Sequence, residues 1–441
     1  MCVFNPFSLT QYDVLLEQEG RLDKTTVNRL LAEDATAADA VAQAARCNPG
    51  HGFHAASVMR LFFQAAADGS TFAERWQRAG LPGLKNDERV LLQAKMRMRV
   101  VLLEIRSVVD DRTIEAVDLL DPSAGVLQLV DRSVASRAVR FATILTWAYP
   151  LPHFWRLSGT GILVPDMGPI GALEAVEECV AHLGGPRVPG APRARWLAEN
   201  FVRLDETLTA VALERRRLMF ASLDAQFGAA TYELNKSFNE CRKALTADPA
   251  VAPDDATPEE RAEGMKQAMV WFDDVAADAG PTQPGAQRVR GRILLGPKQW
   301  RVEAMGAARL AGLRESFEAR LGPRVRFVTE RRDDLGARVA AADPAVDPAA
   351  VPPRLLEQPM RLEMQSSRIP GPPPGISLDE YSAQLRMQLT LELPDTPIPA
   401  LDGRTPREAA AIPSLRPKLL HIMKGHVRAL DEGNLRSGRA R

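Results

Sequence analysis

Hydrophobic residues follow a helical pattern through the first hundred residues of the chain. Val27 to Ala45 is rich in alanine and leucine, and Ala55 to Ala67 carries several large apolar side chains. Asp87 to Val101 follows an Asn-Asp-Glu sequence that is typical of a helix start. We therefore predict a helical N-terminal region over residues 1–105.

Near Met98 the pattern changes to short runs of β-branched and aliphatic residues. Turn sequences rich in aspartate, proline and glycine separate these runs, as expected between strands. The runs are Val100–Ile105, Thr113–Leu120, Val126–Val130, Arg140–Pro150 and Phe154–Val164. They predict a small antiparallel β module over residues 106–165.

Beyond Pro165 the helical pattern returns, and residues 166–279 are predicted to form a second helical region. We expect one helix over Ile170 to Leu183 and one long helix, or a helical pair, from Arg193 to about Leu245. A shorter helix is predicted over Pro258 to Ala277, after a break rich in proline and aspartate.

The last third of the chain predicts three further regions. In residues 286–340 the patterns of two strands, a helix and a further strand follow one another, which indicates a small β-β-α-β unit. Residues 341–376 are rich in proline and alanine, as in a tether. Residues 377–441 predict a C-terminal helical module. Taken together, the patterns predict an α+β protein of several modules.

The sequence from Pro399 to Ala410, PALDGRTPREAA, predicts the start of a helix. Thr405 is suited to cap the helix, Pro406 fits its first position, and Glu408 is placed to complete a capping box. The phrase resembles one found at the ends of bacterial proteins associated with SEC-C motifs. It is also similar to the toxin-binding C-terminal domain of Xre/MbcA/ParS antitoxins.

Other segments carry the same resemblance to the SEC-C-associated proteins. They are Ile114–Leu120, Asp131–Ser133, Leu145–Pro152, Leu157–Gly161 and Arg309–Phe327. The cysteine-rich zinc signature of SEC-C is absent, so the resemblance implies neither zinc binding nor a link to the Sec system. It implies instead a protein-binding role for the C-terminal module.

Composition limits the class of protein. With 441 residues, 45% of them hydrophobic, the chain is long enough for several cores. No apolar run approaches the ~20 residues that span a bilayer, and the N-terminus lacks the pattern of a signal peptide, so we expect a cytoplasmic protein without a membrane partner. Basic and acidic residues balance at 56 each, which makes nucleic acid an unlikely partner.

Two clusters are candidates for chemistry. Cys47, His51 and His54 are suitable zinc ligands in a flexible loop, but a structural site usually has four, so we predict a turn and no metal or other cofactor. No nucleophile elbow, P-loop, zinc-protease or dinucleotide-binding motif is present. We therefore assign no catalytic residue and leave the question of an enzyme open, with a preference against it.

The aromatic segment around Pro150 is the candidate ligand site. Tyr149, His153, Trp155 and Arg156 offer stacking and cation–π contacts to a peptide, a base or another ring-bearing ligand. The alternative is that alternating aromatic residues build the core of the β module.

The candidate partner-binding residues lie on the last predicted helix and are Leu415, Leu419, Leu420 and Ile422. On this basis the first functional hypothesis is a non-catalytic adaptor or accessory factor that binds a protein through its C-terminal module. The second is an enzyme, or a binder of a nucleotide or another small ligand, that uses the segment from His153 to Arg156. The third is a nucleic-acid-associated factor, which requires the arginines of residues 193–217 to gather on one face. The sequence leaves the oligomeric state and the identity of the partner open.

Overall fold

The computed structural model describes residues 9–47, 52–164, 170–222, 226–273, 287–342, 345–357, 367–368 and 375–438. The chain divides into two compact units. The barrel unit comprises Met1–Ala212, Asp347–Glu357 and Leu420–Arg441, and the sheet unit comprises Leu213–Val346 and Gln358–Leu419. Each unit joins segments that the sequence pattern placed in separate regions.

Five helices open the barrel unit, as the hydrophobic pattern predicts. They are α1 (Leu9–Glu33), α2 (Ala35–Cys47), α3 (Gly52–Phe62), α4 (Phe72–Arg78) and α5 (Asn86–Lys95). A capping box fixes the start of α4, where Thr71 accepts from the Glu74 amide and the Glu74 carboxylate accepts from the Thr71 amide. The helix expected over Asp87 to Val101 ends earlier, at Lys95.

A five-stranded barrel follows, and each of the five predicted runs forms one strand. The strands are β1 (Arg99–Val108), β2 (Thr113–Asp118), β3 (Val126–Val130), β4 (Thr143–Pro150) and β5 (Trp155–Leu163), with the short helix α6 (Arg132–Ala135) between β3 and β4. The order around the closed barrel is β1-β2-β3-β5-β4, and only the β3–β5 pair is parallel. The predicted small antiparallel module is thus a sheet closed into a barrel, with one parallel pair.

Strand β4 shows how the barrel is packed on both surfaces. Ala148 and Ile144 join the apolar cluster inside the barrel, whereas Trp147 points outward. The Trp147 ring lies 4.0 Å from the ring of Phe201 and 5.8 Å from that of Phe63. Strand β4 is buried on both faces because helices cover the outside of the barrel here.

The barrel unit continues with α7 (Ala172–His182), α8 (Ala191–Glu199) and the first part of α9 (Phe201–Ser222). Residues 347–357 also belong to it, although the sequence predicts a tether there. Val351 and Leu355 are buried, and Arg354 forms salt bridges with Glu174 and Glu178 of α7. This part of the proline-rich segment is packed. Residues 358–366 and 369–374 lie outside the described residues.

The sheet unit is built on one antiparallel sheet, in the order β11-β6-β10-β9-β8-β7. Its strands are β6 (Gln226–Leu234), β7 (Val251–Asp254), β8 (Gln267–Phe272), β9 (Gln287–Leu295), β10 (Gln299–Met305) and β11 (Val325–Asp334), and β12 (Ser367–Arg368) pairs with β9. Its helices are α10 (Phe238–Thr246), α11 (Pro258–Ala262), α12 (Ala307–Leu321) and α13 (Leu335–Ala342). The predicted β-β-α-β order is confirmed as β9, β10, α12 and β11, but these elements belong to a larger sheet in which β6 lies between β10 and β11.

Two helix predictions in this unit are wrong. The segment from Arg193 to Leu245 contains strand β6 between α9 and α10, and the segment Pro258 to Ala277 contains strand β8 after the short helix α11. Strand β8 has the sequence QAMVWF and is buried at nearly every position. A short continuous apolar run of this kind has no alternation, so periodicity does not distinguish it from a buried helix.

The chain ends in α14 (Leu378–Glu392), α15 (Pro406–Ala411) and α16 (Arg416–Arg436). The predicted capping box is confirmed: Thr405 Oγ1 accepts from the Glu408 amide at 3.2 Å, and Glu408 Oε2 accepts from the Thr405 amide at 2.9 Å. The single helix expected from Thr405 to Leu430 is interrupted at Ile412-Pro413, because a residue before proline disfavours helical geometry. The α+β class is confirmed, and no described helix offers an apolar stretch long enough to span a bilayer.

Candidate functional site

A buried ion pair joins helix α1 to strands β4 and β5 on the outer surface of the barrel. Arg156 donates from Nε to Glu19 Oε1 at 3.0 Å and from Nη2 to Glu19 Oε2 at 2.7 Å. Its Nη1 donates to the carbonyl of Val130, and the Tyr149 hydroxyl donates to Glu19 Oε1. Tyr149 and Arg156 are adjacent partners across the β4–β5 pair, which places both side chains over α1.

The protonation states of this group follow from its contacts. Burial raises the pKa of Glu19, but Arg156, Tyr149 and Lys95 together outweigh burial and lower it below the ordinary value of 4.5. Burial lowers the pKa of Arg156, but the Glu19 carboxylate raises it to a net value above the ordinary one. Burial and the nearby Glu19 charge raise the pKa of Tyr149 well above 10.0. At neutral pH the group is thus a carboxylate, a guanidinium and a neutral phenol.

The four predicted ligand-binding residues occupy different environments. Tyr149 and Arg156 converge on Glu19 and are buried. Trp155 is half-buried, with the Arg99 guanidinium 5.2 Å from its ring centre, and His153 is exposed in the turn between β4 and β5. Two of the four therefore serve the packing of the barrel, and ligand binding by this segment stays a prediction.

Glu19 is the central residue that the sequence analysis missed. It lies four residues after Leu15 and three before Leu22, both of which are buried, so it interrupts the apolar stripe of α1. A charged residue on such a stripe is rarely buried unless it is paired. Its position was therefore the available indication that α1 covers a basic partner.

The proposed zinc ligands fall largely outside the described residues. That holds for His51 and for the side chain of Cys47. His54 is described, and its Nε2 contacts the carbonyl of Ser158. In the part of the chain that the structure describes, no group of three or more histidine, cysteine or acidic residues is arranged to hold a metal ion. The absence of zinc stays a prediction.

The buried cysteines have the properties of core residues. Cys179 on α7 is fully buried, and burial raises the pKa of its thiol to about 12. Cys241 on α10 is also buried, and burial raises the pKa of its thiol. Because the thiolate is the reactive form, neither is suited to act as a nucleophile.

Salt bridges connect the C-terminal half of α16 to the barrel. Arg140 donates from Nε and Nη2 to the two carboxylate oxygens of Asp431, at 2.8 and 2.7 Å, and Asp431 is almost fully buried. Lys424 forms a salt bridge with Glu104 of β1 at 2.7 Å. Residues 420–436 therefore complete the barrel unit.

The four predicted partner-binding residues consequently do not form one exposed surface. Leu415 is buried, Leu419 and Ile422 are half-buried, and Leu420 is exposed. Binding of a partner through these residues stays a prediction. Their burial shows that at least Leu415 contributes to packing within the chain.

Helix α14 presents two large apolar side chains to solvent. Met387 and Leu391 lie one turn apart and are 66% and 67% exposed. Ala383, one turn earlier on the same ridge, is exposed as well. The main packing of α14 is against the short turn Leu393–Asp395 that follows it. We call Ala383, Met387 and Leu391 the α14 ridge.

Three of the arginines on which the nucleic-acid hypothesis depends form salt bridges with acidic residues. Arg193 pairs with Glu177, Arg195 with Glu199, and Arg217 with Glu214, so these arginines already have carboxylate partners.

OB barrels bind oligonucleotides through the face of their second and third strands. Here Glu115 and Gln128 are paired neighbours on β2 and β3, and the preceding turn holds Asp110 and Asp111. These acidic and neutral side chains give no support to a nucleic-acid site on this face, and the expectation about nucleic acid stays a prediction.

Compared with protein-family models, with curated proteins and with solved structures, the chain matches none of them. Its resemblance to SEC-C-associated proteins and to antitoxin domains thus stays an expectation, and function has to be argued from the residues described above.

Proposed function

We propose that this protein is a non-catalytic adaptor or accessory factor that binds another protein through its C-terminal module. The observation that carries the proposal is the α14 ridge, where Met387 and Leu391 are two-thirds exposed on one helical face. Isolated exposed apolar residues are common, whereas neighbouring ones on one helical face form a patch of the kind used to contact a partner.

The shape and chemistry of the ridge define the expected partner. Residues spaced by four positions on a helix fit an apolar groove of another protein, as in helix-in-groove recognition. Methionine adapts to irregular apolar surfaces, and leucine supplies buried area. Polar residues flank the ridge, among them Arg386, Gln388 and Glu392. We therefore propose a protein with an apolar groove bordered by polar groups as the occupant.

In the rival hypothesis, a ligand site around His153 to Arg156, the pair with Glu19 has to open before Arg156 can contact a ligand. Breaking one partner of a buried, hydrogen-bonded ion pair costs about 3–5 kcal/mol. A ligand would have to supply that free energy before any net binding. The α14 ridge requires no such rearrangement, which favours the adaptor.

The test uses the full chain with substitutions on the ridge. Truncation near residue 376 is unsuitable because it also removes Lys424 and Asp431 from the barrel unit. We expect Met387→Glu with Leu391→Glu to abolish co-purification of a stoichiometric protein partner from the native host, as measured by quantitative mass spectrometry.

The matched control places glutamate at two apolar positions of the barrel unit with similar exposure, Val126 (62%) and Val188 (76%). These variants should retain the partner, and circular dichroism should show that all variants are folded. If ridge and control variants capture the same proteins in the same amounts, the proposal is wrong. If the only interaction lost is self-association, the occupant is a second copy of this chain and the adaptor role is wrong.

A further inference from the structure

One end of the barrel contains a cavity of about 390 Å³. Its walls are apolar side chains of β1, β4 and β5 together with α6 and the segment that follows α6. The lining residues used below are Ala138, Ala142, Gly161, Ile144, Arg137 and Asp131. Protein sites for small ligands have volumes of about 300–1,000 Å³, so this cavity is large enough for a small organic molecule.

The cavity exists because small residues stand where a small barrel is usually filled by side chains. Ala138 and Ala142 are buried members of the barrel core, and each contributes only a methyl group. Gly161, an exposed residue in the lining, contributes no side chain. A barrel of this size is ordinarily packed solid by its interior residues. The space is therefore a property of the sequence at this end of the barrel.

The rim of the cavity carries one acidic and one basic side chain with different electrostatic surroundings. The Asp131 carboxylate accepts hydrogen bonds from the Val134 amide at 3.1 Å and the Ser133 hydroxyl at 2.8 Å, and Arg156 lies 3.6 Å away. Arg137 is exposed, and its Nε donates to the carbonyl of Ser133. Among the described residues, none forms a salt bridge with Arg137.

We propose that this cavity binds a small amphipathic carboxylate, with its aliphatic part in the barrel end and its carboxylate on the Arg137 guanidinium. Two hydrogen bonds and the nearby Arg156 already compensate the negative charge of Asp131. The charge of Arg137 therefore makes the rim favourable for an anion. Arginine suits this task because its guanidinium binds a carboxylate through two parallel hydrogen bonds. The apolar walls account for the hydrocarbon part. This inference concerns the barrel alone and does not depend on the proposed role of α14.

The experiment is titration calorimetry of the full chain with octanoate, octanol and octylamine. We expect octanoate to bind with a stoichiometry of one, octanol to bind about tenfold more weakly, and octylamine not to bind. Arg137→Met should weaken octanoate about tenfold and leave octanol unchanged. Arg132→Met is the matched control, because Arg132 is an exposed arginine on α6 that does not line the cavity, and it should change neither affinity.

Filling the cavity provides the second arm. Ala138→Leu should abolish binding of both octanoate and octanol. If this variant does not fold, Arg137→Met still tests the proposal, because Arg137 lies on the exposed rim of the cavity. The proposal is overturned if octanoate does not bind at millimolar concentration or if octylamine binds as well as octanoate. It is also overturned if a folded Ala138→Leu variant binds octanoate with unchanged affinity.

Discussion

Replacing Glu19 by glutamine tests whether the buried ion pair holds α1 on the barrel. The substitution keeps the size of the side chain but removes the charge that faces Arg156. Both oxygens of Glu19 accept hydrogen bonds from Arg156, at 3.0 and 2.7 Å, and the pair is buried. The variant leaves Arg156 buried with only Asp131, 3.6 Å away, as a counter-charge.

The expected loss is about 3 kcal/mol of unfolding free energy, at the low end of the ~3–5 kcal/mol for breaking a buried pair, because glutamine still accepts one hydrogen bond. That loss reduces the folding equilibrium constant by about a hundredfold or more. The matched control is Glu17→Gln on the same helix. Glu17 pairs with Arg21 at 3.2 Å, but their side chains are 68% and 51% exposed, so the control should cost less than about 1 kcal/mol.

Hydrogen exchange measured by mass spectrometry on peptides of β4 and β5 is the suitable assay, because the two units of the chain need not unfold together. The pKa of Glu19 is lowered in the folded state, so its stabilisation is complete above the ordinary value of 4.5 and is lost as the pH falls through the lowered value. The difference between wild type and Glu19→Gln should therefore shrink in acid. Equal protection in Glu19→Gln and Glu17→Gln at neutral pH would refute the reasoning.

Three further predictions concern other parts of the molecule. Thr405→Ala should destabilise the start of α15 by about 0.5–2 kcal/mol, seen as faster amide exchange there, whereas unchanged exchange would contradict the role of the cap. Cys179 should resist iodoacetamide in the native protein because burial raises its pKa to about 12, and labelling as fast as in urea would contradict this. Elemental analysis should find no stoichiometric zinc; one zinc per chain, lost in Cys47→Ser, would disprove that prediction.

The sequence predicts the strands of the barrel better than it predicts their closure. Alternating apolar residues and turn sequences indicate each of β1 to β5, because these depend on neighbouring residues. Closure depends on the parallel pairing of β3 with β5, represented by Leu129 opposite Trp155. These residues are far apart in sequence and follow no local pattern. The prediction of a small sheet therefore had the right strands but did not include the closure of the sheet into a barrel.

The errors in the sheet unit have a different cause. Strand β6 alternates between buried and less buried positions, but two of its buried residues are Gly228 and Ala230, whose small side chains give a weak hydrophobic pattern. Strand β8 is a continuous apolar run and does not alternate. The capping box at Thr405 was predictable because its partners lie within four residues.

The candidate site was also predicted only in part, because its contacts join residues that are far apart in sequence. Aromatic and cationic residues near Pro150 make this segment unusual. The sequence does not show, however, that Arg156 forms an ion pair with Glu19, which lies 137 residues away. Likewise, Met387 and Leu391 have helical spacing that indicates one face of α14, whereas their exposure depends on what packs against that helix. Local pattern specifies the face of an element, and tertiary structure decides whether that face is covered.

The central claim is that the α14 ridge contacts a protein partner. The most direct measurement is photo-crosslinking in the native host, with a photoreactive amino acid at Met387 and, as the control, at Val126 of the barrel. We expect one dominant crosslinked protein from position 387, distinct from this chain, and none of that product from position 126. Identical products from both positions, or no product from position 387, would contradict it.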